Sequence, residues 1–363
     1  MVPAASTQSL TFANLGYAEP YLGWTCIGPI QNTLTLPSGQ TSTAFYLSGN
    51  KPSTSTFEVG GGGLTAGTKS VSLKTKFQLE GGATSICMIL ASGRVKCLGD
   101  GAWSQHYNGA GVMVGDQLAD MGSNLGAASI GTNRTALYLA TAEENLYWTG
   151  SCVILDNHKL RCWGHPDVSS GQGNGAQVGN TGATIGDNLP YVNIGTNRLA
   201  YRITGGYAGY CIITDMGAVK CWGMQDTTSW VQMAGYGDTL TRGQTAGTMG
   251  DCLPDVNLGT GVVAADIECG KGQCCVITND RRVKCWGNGN YGRTGYGDAL
   301  TRGWGAGQMG DCLPYVNIGS NRTPIHVAGT NATTCVHLDT NEMRCFGYGA
   351  YGSLLSGGTT DIG

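Results

Sequence analysis

CIITDMGAVKCWG (211–223) is the stretch whose reading decides the fold. Cys211-Ile212-Ile213-Thr214 is a run of strand-favouring residues, and Val219-Lys220-Cys221-Trp222 is another. Between them Asp215, Met216 and Gly217 supply turn chemistry, so the segment predicts a β-hairpin. Its first strand is apolar almost throughout rather than alternating, which predicts a strand covered on both faces. The pattern recurs without gaps as CMILASGRVKCLG (87–99), CVILDNHKLRCWG (152–164), CVITNDRRVKCWG (275–287) and CVHLDTNEMRCFG (335–347). The second cysteines stand at 97, 162, 221, 285 and 345, so successive spacings are 65, 59, 64 and 60 residues.

Two further elements repeat between the hairpins. GSNLGAASIGTNR (122–134), GDNLPYVNIGTNR (186–198), GDCLPDVNLGTG (250–261) and GDCLPYVNIGSNR (310–322) read as one linking strand. AGYGDTLTRGQTAGTMGD (234–251) and TGYGDALTRGWGAGQMGD (294–311) agree at 13 of 18 positions. Three registers in step identify a repeat architecture. A unit of about 60 residues holds four short strands and one long loop, and radial repetition of four-stranded sheets is a β-propeller. The expected fold is therefore all-β, a propeller of about six (six or seven) four-stranded blades, five of them clear repeats. Composition agrees: 61 of 363 residues are glycine and 12% are charged, suiting tight turns and covered sheet faces.

The C-x-I-x-x-x-G-x-V-K-C-W-G hairpin, the G-Y-G-D loop and the M-G-D-x-L-P-x-V-N segment resemble the regulator of chromosome condensation repeat, in a cysteine-bearing, long-loop form similar to bacterial and algal extracellular proteins. The resemblance covers roughly 75–363. It implies a propeller, and it implies function only loosely, because the family includes a nucleotide exchange factor, chromatin binders and enzyme inhibitors. Residues 71–363 are read as the propeller. Residues 1–70, rich in Ser, Thr and Gly, are read as a strand segment or degenerate blade, with Trp24-Thr25-Cys26 a faint echo of the hairpin. The fifth unit lacks the M-G-D-x-L-P-x-V-N segment. A strand from TSTAFYLSG (41–49) or STFEVGG (55–61) is expected either to complete it or to be donated to a neighbouring molecule.

Ten cysteines form pairs ten residues apart: Cys87/Cys97, Cys152/Cys162, Cys211/Cys221, Cys275/Cys285 and Cys335/Cys345. Directly opposed hairpin residues lie within disulfide range, so five cross-strand bridges are expected, with buried free thiols the alternative. A zinc site is disfavoured, since C-x9-C is the wrong spacing and no second ligand pair stands nearby. Cys26, Cys252, Cys269, Cys274 and Cys312 remain; an odd number leaves one free or intermolecular, and Cys269–Cys274 is one candidate closure. This density of bridges implies an oxidising compartment. Glycosylation acceptor sequons at Asn133, Asn321 and Asn331 fit a secreted or cell-surface protein. The start MVPAASTQSLTFANLG does not read as a secretory signal, which a processed or partial chain would explain.

The net charge of −3 without a basic run argues against nucleic acid, and no apolar stretch of 18 residues predicts a membrane span. Phosphate-loop, nucleophile-elbow and paired-carboxylate signatures are absent, so no catalytic residue, cofactor or metal is expected. Asp238, Asp251, Asp298 and Asp311 are read as turn-closing residues. Trp163, Trp222 and Trp286 recur at one strand place and are read as packing between blades. Tyr236, Tyr296 and Trp304, in the long loops, are the candidate partner-binding residues. The expected role is a non-enzymatic extracellular structural or interaction protein that self-assembles into a surface fibre or layer. The alternatives are a partner-binding propeller (inhibitor, receptor or glycan binder) and, by resemblance, a small-GTPase exchange factor.

Overall fold

A computed structural model describes residues 8–11, 19–21, 33–36, 46–48, 53–61, 64–73, 78–81, 85–99, 113–143, 149–165, 170–179, 181–225, 233–350, 353–354 and 359–363. Two compact units are present: residues 1–77 with 91–93, and residues 78–90 with 94–363. In the first, β1 (Gln8–Thr11) pairs with β3 (Thr33–Leu36), and β2 (Glu19–Tyr21) with β4 (Tyr46–Ser48). There β5 (Ser53–Gly61) forms a hairpin with β6 (Leu64–Leu73).

The second unit is built from five antiparallel sheets in chain order. They are β7–β9 (Gln78–Gly81, Ser85–Ile89, Val95–Gly99), β10–β12 (Ala136–Glu143, Thr149–Leu155, Leu160–Gly164) and β13–β15 (Ala200–Gly206, Gly209–Thr214, Val219–Gly223). The last two are β16–β18 (Ala264–Cys269, Gln273–Thr278, Val283–Gly287) and β19–β21 (Pro324–Gly329, Thr333–Leu338, Met343–Gly347). The inner strands of all five, through Glu80, Thr141, Gly205, Glu268 and Gly329, line one cavity of about 180 Å³. That convergence defines a radial arrangement of blades. The inner strands approach closely: a Cβ on Gly205 would lie 1.8 Å from the Thr141 carbonyl oxygen, so the site needs glycine.

Each blade has three strands, not the expected four. The fourth place is reduced to one bridge, Gly99 with Val114, Gly164 with Val178, Gly223 with Arg242, Gly287 with Arg302 and Gly347 with Ile362. The ladder cannot extend because loop side chains take the backbone donors on either side: Leu240 N–H donates to Asp238 and Gly243 N–H to Thr248. The linking segment is likewise not a strand. It makes a single 3-10 turn, as at Gly250–Cys252 and Gly310–Cys312, then runs extended beside the preceding hairpin. One hydrogen bond ties it there in each of four blades, from Ala128, Val192, Val256 and Val316 N–H to Val95, Leu160, Val219 and Val283.

Residues 55–61 pair within the β5–β6 hairpin, and the outer bridge of the fifth blade is made by Ile362. Residues 41–45 of the other proposed strand lie outside the described residues, and 46–48 pair with β2.

The core runs between adjacent blades. Cys211, Val219 and Cys221 of the third blade pack against Ile267, Cys274 and Trp286 of the fourth. Trp163, Trp222 and Trp286 are buried, and Trp286 donates its indole N–H to the Met233 carbonyl at 2.7 Å. The central blades bury both faces of their hairpins, as the unbroken apolar strand Cys211–Thr214 predicts.

Candidate functional site

The hairpins place the ten recurrent cysteines in direct register. Cys87–Cys97, Cys152–Cys162, Cys211–Cys221, Cys275–Cys285 and Cys335–Cys345 are disulfides with Cα atoms 4.0–4.1 Å apart. A sixth joins Cys269 to Cys274 across the β16–β17 turn. Cys252 and Cys312 are exposed thiols at equivalent places in successive linking segments, and Cys26 lies outside the described residues. Sulfurs of Cys211, Cys269 and Cys274 cluster within 4.8 Å, but each already belongs to a disulfide.

The long loops are locked by a clamp that two repeats build identically. Arg242 donates two hydrogen bonds to the Asp238 carboxylate at 2.8 and 2.7 Å, and Arg302 does the same to Asp298. Each guanidinium lies over a tyrosine ring, Tyr236 or Tyr296, 4.3 Å from its centre. Each tyrosine hydroxyl then accepts a backbone N–H from the hairpin, Cys221 at 2.8 Å and Cys285 at 2.9 Å. Burial pushes the Tyr296 phenol up to about 12 and raises Tyr236 likewise. The arginine hydrogen bonds hold both aspartates below the usual carboxylate range.

Tyr236 and Tyr296 anchor their loops through these contacts, and each keeps part of its surface open. A tyrosine in a glycine-rich loop looks exposed in sequence, but here its ring is sandwiched between the clamp and the hairpin. Trp304 remains on the surface at 38% exposure, as do Leu240 and Leu300 at 62% and 63%. Successive loops also hold one another: Gly173 N–H donates to Gly243 and Gly237 N–H to Gly303, both at 2.9 Å.

Other recurrent charges are structural. Asp251 accepts the Thr196 N–H and hydroxyl at 2.7 and 2.6 Å, and Asp311 treats Thr260 alike, which ties successive linking segments together. The basic residue before each second cysteine, on which the sequence reading places no role, is the other recurrent charge. Lys284 is buried, and its ammonium donates to the Leu258 and Gly310 carbonyls at 2.7 and 2.8 Å. Arg161 donates to Ile130, and Lys220 to Leu253. The signal was in the sequence, since Lys or Arg stands at that place in all five hairpins. The sequon residues Asn133, Asn321 and Asn331 are exposed, the first two in turns with φ of 56°.

Along the inner strands, Arg202 sits 5.1 Å from the Tyr138 ring and 3.6 Å from the buried Asp266, which meets His326 at 2.6 Å. Deeper in the cavity the Thr204 hydroxyl donates to Glu268 at 3.0 Å. Burial, reinforced by the charges of Glu80 and Asp266, pushes Glu268 up to about 8. No ordered constellation of nucleophile, base and oxyanion donors accompanies these groups among the described residues.

Comparison with known proteins places this geometry in a class. Residues 264–293, the fourth blade, match the Regulator of chromosome condensation (RCC1) repeat. Among solved structures the chain is similar to human WBSCR16 (TM-score 0.54, 13% identity), with 98% of this chain and 92% of that chain covered. It is similar to Prp20p from Saccharomyces cerevisiae (TM-score 0.54, 14% identity), covering 78% of this chain and 61% of that one. It is also similar to yeast RCC1 (Prp20) bound to Kap60 (TM-score 0.53, 15% identity), covering 76% and 56%. The chain thus spans less than two thirds of the Prp20 chains it matches. It carries an RCC1 repeat, and its fold is an RCC1-like propeller stapled by disulfides.

Proposed function

We propose that the chain is a non-enzymatic protein-binding propeller of an oxidising, extracellular compartment, and that its long-loop layer is the contact surface. The carrying observation is the duplicated Asp-Arg-Tyr clamp, which holds two successive loops in place while Leu240, Leu300 and Trp304 of those loops stand exposed. A preordered loop with an apolar tip loses little entropy on binding, and exposed apolar side chains in register mark interaction surfaces. Prp20p, whose structure was reported with its binding properties to Gsp1p and histones, supports a protein partner in kind. Six disulfides support the compartment.

The test is a photo-crosslinking residue placed at 240 or at 300 in the native extracellular setting. Both sites should trap the same partner, and Leu240→Asp with Leu300→Asp should abolish capture while all six disulfides stay mapped. Different products at the two sites would refute the shared surface.

Self-assembly is a second reading, favoured by the exposed Cys252 and Cys312 thiols on successive repeats. Light scattering should then give a covalent oligomer that Cys252→Ser with Cys312→Ser returns to monomer. The GTPase-exchange reading rests on fold likeness alone and requires activity in a disulfide-free, reducing setting.

A further inference from the structure

One row of side chains crosses each blade from its inner strand. By register it reads Gln78–Ile89–Val95, Tyr138–Ile154–Leu160, Arg202–Ile213–Val219 and Asp266–Ile277–Val283 in the first four blades. In the fifth it reads His326–His337–Met343. Directly opposed residues of antiparallel strands share a face with Cβ atoms about 4.5–5.5 Å apart. The second and third members are buried apolar residues in the other four blades, among them Ile154 and Ile277 at 0% exposure. In the fifth blade the His326 side chain is 52% exposed and Met343 55%, with His337 half-buried between them. Packing selects Ile and Val at these places, so packing does not account for two imidazoles and a thioether facing solvent in line.

The neighbour of His326 adds a second observation. Asp266, itself 3% exposed, lies 2.6 Å from His326 Nδ1. The carboxylate can accept a hydrogen bond from Nδ1–H, which leaves Nε2 as the open ring nitrogen. A carboxylate that fixes the tautomer of an imidazole in this way is the usual outer-shell partner of a metal-binding histidine.

We propose that His326, His337 and Met343 form a binding site for a divalent transition-metal ion of the copper class, with Asp266 as the positioning residue. Two imidazoles supply the strong ligands, and a thioether as a weak additional ligand fits copper better than calcium or magnesium, which take oxygen. This goes beyond the sequence, where no histidine recurs and no metal was expected.

The test uses the full chain with its free thiols alkylated, titrated with CuCl2 by calorimetry and followed by electron paramagnetic resonance. One Cu(II) per chain with hyperfine structure from two nitrogens is expected. His337→Ile installs the residue that the other blades carry, so it should fold and lose the two-nitrogen signal. Asp266→Asn should weaken binding 10–100-fold while keeping both nitrogens in the spectrum. Absence of stoichiometric binding, or an unchanged spectrum in both His337→Ile and His326→Ala, would overturn the assignment.

Discussion

Cys211 Sγ lies 3.8 Å from Cys274 Sγ, so the hairpin disulfide of the third blade touches the Cys269–Cys274 disulfide of the fourth. Thiol–disulfide exchange requires a thiolate to reach a disulfide sulfur, and this contact supplies the approach. In Cys269→Ser, the freed Cys274 thiolate is expected to attack Cys211, form Cys211–Cys274 and release the Cys221 thiolate. Non-reducing peptide mapping should find Cys211–Cys274 beside the native Cys211–Cys221 pair. Exclusive recovery of the native pair would show that burial blocks the exchange.

The Asp298–Arg302 clamp should matter for loop order more than for global stability. Its partners are partly exposed, so Asp298→Ala should cost only about 1 kcal/mol in unfolding. Locally the effect should be large, because Arg302 loses its carboxylate and Tyr296 its cover. Hydrogen exchange of 294–311 should rise while that of 273–287 stays protected. The pH dependence has a definite sign. Asp298 titrates below its ordinary 3.8 in the folded state, so the clamp contributes fully above about pH 4 and is lost as pH falls through the lower folded value. Trp304 fluorescence should report that release.

The hairpins, the five recurrent disulfides and the buried tryptophans were legible because repetition at a fixed register reports a shared environment. The place of Cys221 is a cysteine in all five hairpins and that of Trp222 a tryptophan in three, so one reading serves several blades. The three-stranded blade was not legible. Whether Leu240 continues a ladder depends on the Asp238 carboxylate capturing its N–H, a competition that strand propensity does not register. The anchoring role of Tyr236 was hidden for a related reason: only the folded clamp brings the Arg242 guanidinium over its ring. The inner row Tyr138, Arg202, Asp266 and His326 stayed hidden because four different residue types occupy one structural place, which leaves no repeat to see.

Lys284 should be among the costliest polar residues to remove. Its ammonium is enclosed and satisfies two carbonyls, Leu258 and Gly310, that hold adjoining linking segments against the fourth blade. Lys284→Met keeps the stem but leaves the buried Leu258 carbonyl without this donor, while Gly310 keeps only the Leu313 N–H, at a cost of about 1–3 kcal/mol. Chemical denaturation should show that loss, whereas Lys159→Met, at an exposed place in an earlier hairpin, should shift the midpoint by no more than about 0.5 kcal/mol.

Glu268 gives the propeller axis its own pH dependence. Burial, then the nearby charges of Glu80 and Asp266, raise its folded pKa to about 8 from 4.5. A carboxyl that binds its proton more tightly when folded stabilises the fold at pH below the unfolded value, and loses that contribution as pH rises through the folded one. Melting temperature should therefore decline between about pH 5 and 8 and level off above it, where both states have lost the proton. Glu268→Gln keeps an acceptor for the Thr204 hydroxyl and carries no charge at any pH, so it should flatten that slope and match or exceed the parent at pH 9. Scanning fluorimetry of both chains across that range decides the point, since an equal slope in the two would place the titrating group elsewhere.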